Sequence, residues 1–260
     1  MRESKTRIIF SPHPDDACLS CGGTIAQKIK NGEKVIVVNL TDGRNCFLLN
    51  FGIENPLPEQ IGRIRRKEET KAMKILGVEE KDILFLNGRD GLLHKNRKDM
   101  KRKIAEIIEK YRPSEIFIPS IIDKHPDHIL TNVLLRKISL NFSSKPTIYE
   151  YFVWSRKKIE KSALSNIIRV VIKDEIDIKR EAISCYRSQI LRFLPNQKKP
   201  ILSQNFLEPF YKDYEVFKIR KNCKFSGKDF LSVMRLKIVS NIVSIYHDFK
   251  LYRLRRFFMF

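Results

Sequence analysis

Long apolar runs are missing from this 260-residue sequence. None approaches the roughly 18 residues that a helix needs to cross a bilayer, which excludes an integral membrane protein built on helices. The first ten residues, MRESKTRIIF, are charged and too short of apolar residues for a signal-peptide core. Cysteine is sparse. Five in a long chain is an odd count without framework spacing, and the expectation is free thiols in a reducing, cytoplasmic compartment. Neither G-x-x-x-x-G-K-[ST] nor G-x-G-x-x-G occurs, so a nucleotide cofactor has no motif to support it. Internal repeats and low-complexity linkers are also lacking. Acid is in short supply, with 30 Asp and Glu against 51 Lys and Arg and a formal net charge of +21. Such a charge speaks to partners rather than to fold: nucleic acid, an anionic membrane surface or an anionic small molecule. A compositional bias toward Lys produces the same charge with no partner at all.

What is present is the material of a core. Hydrophobic residues make up 42% and charged residues 31%, which excludes a disordered chain, a collagen and a coiled coil. Apolar strand patterns alternate with amphipathic helical ones through the first 140 residues. Strands are expected at 7–11 (RIIFS), 34–40 (KVIVVNL), 82–86 (DILFL) and 115–119 (EIFIP). Helices are expected at 17–30, closed by Asn31-Gly32, at 60–76, closed by Gly77, at 98–111, ended by Pro113, and at 127–140. A loop carrying Gly and Pro is expected from 41 to 58. Beyond Pro146 the pattern turns more β-like (TIYEYFVW, then IIRVVI), and 179–188 reads as a further helix. Strand–helix alternation implies parallel strands covered on both faces. The fold class is therefore α/β, an open, doubly wound, mostly parallel Rossmann-like sheet with a C-terminal helical extension. The domain is expected over 1–227 and the extension over 228–260.

Ionisable residues gather at two strand ends. Ser11-Pro12-His13-Pro14-Asp15-Asp16 follows the first strand and opens the first helix. Asp123-Lys124-His125-Pro126-Asp127-His128 follows the fourth strand and opens another. In open α/β sheets ligands bind outside the carboxyl ends of the strands, at the switch point. If strands one and four are neighbours, both clusters face one crevice. A capping Asp would be ordinary at either place, but a His and two Asp around a Pro exceed what a cap needs. His and carboxylate are ligands for metals such as zinc. The surplus carboxylate and imidazole suit proton transfer, the composition of a metal-assisted hydrolase. Cys18 and Cys21 have C-x-x-C spacing, but they fall within a helix without a second pair and read as helix packing.

At these residues the sequence resembles the LmbE-like (PIG-L) family of zinc-dependent N-deacetylases, whose signature is P-H-P-D-D-E after strand one and H-P-D-H after a later strand. Here the segments are Pro12-His13-Pro14-Asp15-Asp16-Ala17 and His125-Pro126-Asp127-His128. Arg65-Arg66-Lys67-Glu68 with Ala72 and Leu76-Gly77 is similar to the family's R-x-x-E helix. Phe85-Leu86 through Asp90-Gly91 is similar to its L-x-x-x-D-G segment. Lys179, Ala182-Ile183, Tyr186 and Ser188-Gln189 are similar to its K-x-x-A-I-x-x-H-x-S-Q helix. The order holds over roughly residues 6–220. Two positions depart from the pattern: Ala17 stands where Glu is usual and Tyr186 where His is usual. The first implies a lost local hydrogen bond, and the second touches substrate preference.

The resemblance implies one zinc ion held by His13, Asp16 and His128, with Asp15 as general base. It implies that His125, protonated, faces the carbonyl oxygen, and that Asp127 orients or tunes a histidine. Arg65 and Asp90 are the expected substrate contacts, although a surface helix arginine and a plain Asp-Gly turn are equally ordinary readings. The expected activity is removal of the N-acetyl group from an N-acetylglucosamine-type sugar on a lipid, nucleotide or small-molecule carrier. Hydrolysis of another small amide in the same pocket is the alternative. A basic nucleic-acid-binding protein is the alternative from another class. It would call for aromatics interleaved with Lys and Arg or for a recognised binding motif, and neither is found, so nucleic acid is not the expected partner. Residues 229–260 place Phe230, Met234, Ile238, Ile242, Ile245 and Phe249 at helical spacing, with Arg235, Lys237, Lys250, Arg253, Arg255 and Arg256 as cations. Such a helix suits the protein's own core, a second subunit in a homo-oligomer, or the anionic inner face of a membrane.

Overall fold

The computed structural model describes residues 6–140, 142, 145–160 and 166–220. The extension expected at 228–260, with its amphipathic pattern, lies outside the described residues. The strands are β1 (Thr6–Ser11), β2 (Lys34–Thr41), β3 (Ile83–Gly88), β4 (Glu115–Pro119), β5 (Thr147–Tyr151), β6 (Ile167–Val171) and β7 (Tyr214–Arg220). The helices are α1 (Asp16–Lys30), α2 (Cys46–Phe51), α3 (Pro58–Ile75), α4 (Arg97–Tyr111), α5 (Pro126–Ser139), α6 (Arg156–Glu160), α7 (Ile176–Ser184), α8 (Arg187–Ile190) and α9 (Gln204–Leu207).

The strands form one sheet in the order β3-β2-β1-β4-β5-β7-β6. The first five run parallel, and β7 pairs antiparallel with both β5 and β6. Because β2 lies on one side of β1 and β4 on the other, the chain reverses its winding between β1 and β4, and a crevice opens there at the strand carboxyl ends. Alternation within β1 and β2 serves both faces. Ile9 and Val37 join Leu19, Met73 and Ile183 on one side, whereas Ile8, Phe10, Ile36 and Val38 join Met100, Ile104 and Leu134 on the other. Both faces are covered, so the strands read as continuous Val/Ile runs.

Two expectations needed correction. The loop over 41–58 contains the short helix α2, whose Phe47 is buried with Ile61 and Leu194. Six residues around Cys46-Phe47-Leu48-Leu49 are too few to display helical periodicity. The helix expected at 179–188 starts earlier and stops at Ser184. The chain then turns at Cys185 and Tyr186 before α8 carries Ser188 and Gln189. Cys18 and Cys21 are buried within the core on α1, and burial pushes both thiols up.

Candidate metal and catalytic site

The two motif clusters meet at the β1/β4 crevice. His13 and Asp15 occupy the turn after β1, and Asp16 is the first residue of α1. Ser11 holds this turn from within: its Oγ donates to the His13 carbonyl at 2.7 Å and accepts from Ala17 N at 3.2 Å. Asp15 adopts φ 118°, a region costly for a non-glycine residue. Its amide donates to Glu69 Oε2 at 3.1 Å, its carboxylate Oδ2 accepts from Arg65 at 2.9 Å, and its carbonyl accepts from Leu19 N at 2.9 Å. Those contacts hold the strained turn in place.

The Asp16 carboxylate stands between two imidazoles. Its Oδ2 lies 3.2 Å from His13 Nδ1 and 3.2 Å from His128 Nε2. The far side of each ring is held by further carboxylates. His13 Nε2 lies 3.3 Å from both Asp90 Oδ1 and Asp127 Oδ2, and His128 Nδ1 lies 3.0 Å from Asp123 Oδ2. Asp127 also accepts from Gly91 N at 2.8 Å and Leu93 N at 3.3 Å, and Asp90 accepts from Asn45 N at 2.7 Å. Each histidine thus has one nitrogen tied by acid and the other turned to Asp16, the arrangement that orients metal-binding imidazoles.

The electrostatics follow from this crowd of acids. Burial alone would lower both imidazoles, but the carboxylates reverse it: His13 is raised well above its ordinary value by Asp127, Asp16 and Asp90, and His128 is raised to about 9 by Asp16 and Asp123. Asp16 is held low against its own burial by His128 and His13. Burial pushes Asp15 up to about 7, with Arg65 opposing and Asp16 adding to the rise. Burial, then His13 and His128, takes His125 down to about 4. Surroundings that hold positive charge on both rings also favour a cation at their centre.

The donor set fits a divalent metal. Bonds of about 2.0–2.1 Å in a tetrahedral shell put neighbouring donors about 3.3 Å apart, and the 3.2 Å spacings about Asp16 Oδ2 are close to that. Two three-residue groups keep their donor atoms within 4.8 Å of one another: His13, His125 and His128, and His13, Asp90 and Asp127. The first shares two residues with the set His13, Asp16 and His128.

Arg65 and Asp90 both line the cavity, yet both Arg65 amino groups and both Asp90 carboxylate oxygens are engaged with the protein, and Arg65 Nε is buried without a partner. Arg65 is buried; it donates to the Gly43 carbonyl at 3.0 Å, to the Pro14 carbonyl and to Asp15. A side chain at Gly43, φ 61°, would put Cβ 1.8 Å from the Arg65 guanidinium, so glycine there lets the arginine reach the turn. Tyr186 does not line the cavity. Its hydroxyl donates to Glu69 Oε2 at 2.6 Å, behind Asp15. Ala17, the other departure, packs its methyl in the core.

Two further residues carry weight here. Asp123 belongs to the second sequence cluster, where nothing local gives it a role; besides His128 it accepts from Val153 N, Ser155 N and Ser155 Oγ. Glu69, wholly buried, was legible from phase. On α3 it shares the inward face with Ile61, Arg65, Ala72 and Met73, and a carboxylate on an apolar stripe needs a polar reason.

Comparison with known proteins agrees with the geometry. The GlcNAc-PI de-N-acetylase (PIG-L) family pattern matches residues 8–139. The diacetylchitobiose deacetylase of Thermococcus kodakarensis is 31% identical over 127 residues, 48% of this chain but only 45% of that protein, so the match spans under half of that relative. A Bacillus cereus protein named as a probable N-acetyl-alpha-D-glucosaminyl L-malate deacetylase 2 is 29% identical over 193 residues, 70% of this chain and 82% of its own length. The solved N,N'-diacetylchitobiose deacetylase from Pyrococcus horikoshii superposes with a TM-score of 0.65 at 26% identity, covering 84% of this chain and 85% of that one.

Proposed function

Because this chain belongs to the PIG-L family of GlcNAc-PI de-N-acetylases, we propose that it is a zinc-dependent hydrolase that removes the acetyl group from an N-acetylglucosamine-type amino sugar. The observation that carries the reading is the Asp16 carboxylate poised 3.2 Å from a nitrogen of each of two histidines, with Asp15 held beside it. On this reading His13, Asp16 and His128 hold the metal, while Asp127 and Asp123 orient the rings.

When bound, zinc supplies Lewis acidity, polarising an amide carbonyl and making water acidic near neutral pH. Asp15 accepts the proton of the attacking water at Oδ1, since Oδ2 is engaged by Arg65. His125 accepts the Asp127 amide at Nδ1, 3.3 Å away, which leaves Nε2–H as its donor. Burial favours the neutral form of His125, and in that form its Nε2–H is the donor that steadies the developing oxyanion. Asp15 then returns its proton to the departing amine, and acetate is released.

Metal analysis with an assay of acetate release tests this. Purified protein is expected to carry one zinc per chain, and Asp15→Asn to keep the metal while losing about 10²–10⁴-fold in rate. A metal-free active protein, or turnover of Asp15→Asn near the unchanged enzyme's, would refute the assignment.

The reading extends to a cytoplasmic protein resting on an anionic membrane face through residues 229–260. No described helix is long and apolar enough to span a membrane. The full chain is expected to cosediment with anionic liposomes, less at high salt, and a chain ending at Gly227 to stay in the supernatant. Equal sedimentation of the two would remove the membrane from the proposal.

A further inference from the structure

The mouth of the catalytic cavity differs in character from its floor. The cavity holds about 430 Å³. Its floor is the His and Asp cluster, and the apolar side chains of Leu49, Ile201, Val153 and Trp154 also line it. Leu49 and Trp154 are 43% and 47% exposed, large apolar side chains left open to water at the rim of a polar site. Exposed apolar surface around a cleft is costly to leave uncovered and marks where a ligand's own apolar surface is received.

Trp154 is built in rather than incidental. It lies in the turn after β5, and the amides on either side of it, Val153 N and Ser155 N, both donate to Asp123, the carboxylate that also holds His128. Its ring runs nearly parallel to His125, 14° between planes at 6.4 Å, and is backed by Phe206 at 5.1 Å. The indole is therefore fixed relative to the reacting centre.

The charge inventory gives an anionic group little to hold at this mouth. Arg65 is consumed by Asp15 and two carbonyls. Among the described lining residues, Lys124 at the rim is the cation without an ion-pair partner, whereas Asp15 is paired with Arg65, Asp16 and Asp90 with His13, and Asp123 with His128. An anionic carrier would therefore find one exposed lysine, with the Arg65 amino groups already spent on the protein.

Resting on the deacetylase reading, we infer that the amino sugar taken by this site carries an apolar aglycone, an alkyl or aryl group, received by the exposed apolar side chains of Trp154 and Leu49. Trp154 is the specificity-determining residue and packs against the apolar face of the substrate.

Trp154 is the only tryptophan of the chain, so intrinsic fluorescence reports on it alone. Octyl glucosaminide, the amine product, is expected to shift Trp154 emission to the blue at about tenfold lower concentration than glucosamine 1-phosphate. In turnover, kcat/KM for octyl N-acetylglucosaminide is expected to exceed that for N-acetylglucosamine 1-phosphate by at least about tenfold. Trp154→Ala and Leu49→Ala should bring that ratio toward one, and Trp154→Phe should keep most of it. An unmoved emission with the octyl sugar, a ratio near or below one, or a ratio unchanged in both alanine variants would overturn the inference. If no N-acetyl sugar is turned over, the deacetylase reading fails and the fluorescence titration still decides the apolar site.

Discussion

Two groups of buried charge occupy this molecule, and they are built on opposite principles. On the sealed side of α1, Lys179 meets Glu215 at 2.7 Å with each side chain about 1% exposed. Glu215 also accepts from Gly23 N and Thr24 N, both at 2.9 Å. One cation faces one anion, and both carboxylate oxygens have donors. At the β1/β4 crevice the balance is broken. Asp15, Asp16, Asp90, Asp123 and Asp127 crowd around three histidines and Arg65, beside open cavity. A balanced buried pair locks a packing arrangement, here α7 and β7 against α1. An excess of buried acid stores an appetite for a cation. Surplus charge next to a cavity therefore separates a working site from a structural one, although both consist of buried ionisable residues.

The sharpest way to test this contrast is to break the balanced pair. Lys179→Met leaves Glu215 charged and buried, and stability is expected to fall by about 3–5 kcal/mol, read by denaturant unfolding. Zinc content of the folded fraction should not change. Lys179→Met with Glu215→Gln removes both charges and should recover much of the loss. If the single variant lost zinc while keeping its stability, the two groups would not be separate.

Glu69 links the contrast to pH. Burial raises it to about 7 against an ordinary value of 4.5, despite donors from Tyr186 and the Asp15 amide. Between those two values the folded protein keeps a proton that the unfolded chain has released. Its contribution is therefore fully present below about pH 4.5 and is lost as pH rises through about 7. Glu69→Gln cannot titrate, and its stability should vary less over this window, by up to about 3 kcal/mol. Unfolding curves at pH 5 and pH 7.5 measure it; parallel pH dependence of the two proteins would contradict the assignment.

The smallest effect is expected behind His128. Asp123→Asn keeps size and shape but weakens the hold on Nδ1, and zinc affinity should drop about 10–100-fold without loss of the fold. Competition with a zinc chelator reads this directly. An unchanged affinity would reduce Asp123 to a brace for the turn carrying Trp154.

Much of this was legible in the sequence, for reasons that can be stated residue by residue. The Val/Ile runs of 34–40 and 115–119 announced parallel strands because such strands are buried on both faces. The clusters at 13–16 and 123–128 announced a site because each follows a strand and opens a helix, where ligands gather in such folds. Local chemistry of this kind acts over a few residues and leaves its mark in order and spacing. The roles of Arg65, Tyr186 and Trp154 were not legible. Arg65 was expected as a substrate contact, yet its guanidinium closes on Asp15, fifty positions earlier in the chain. Tyr186 reaches Glu69 across 117 positions, and Trp154 gains its place at the cavity mouth through Asp123. Sequence by itself determined the fold class and the two clusters, because periodicity and capping are short-range. Only the tertiary structure decided which charges are spent on one another and which face the cavity, because that depends on contacts between residues that the chain keeps far apart.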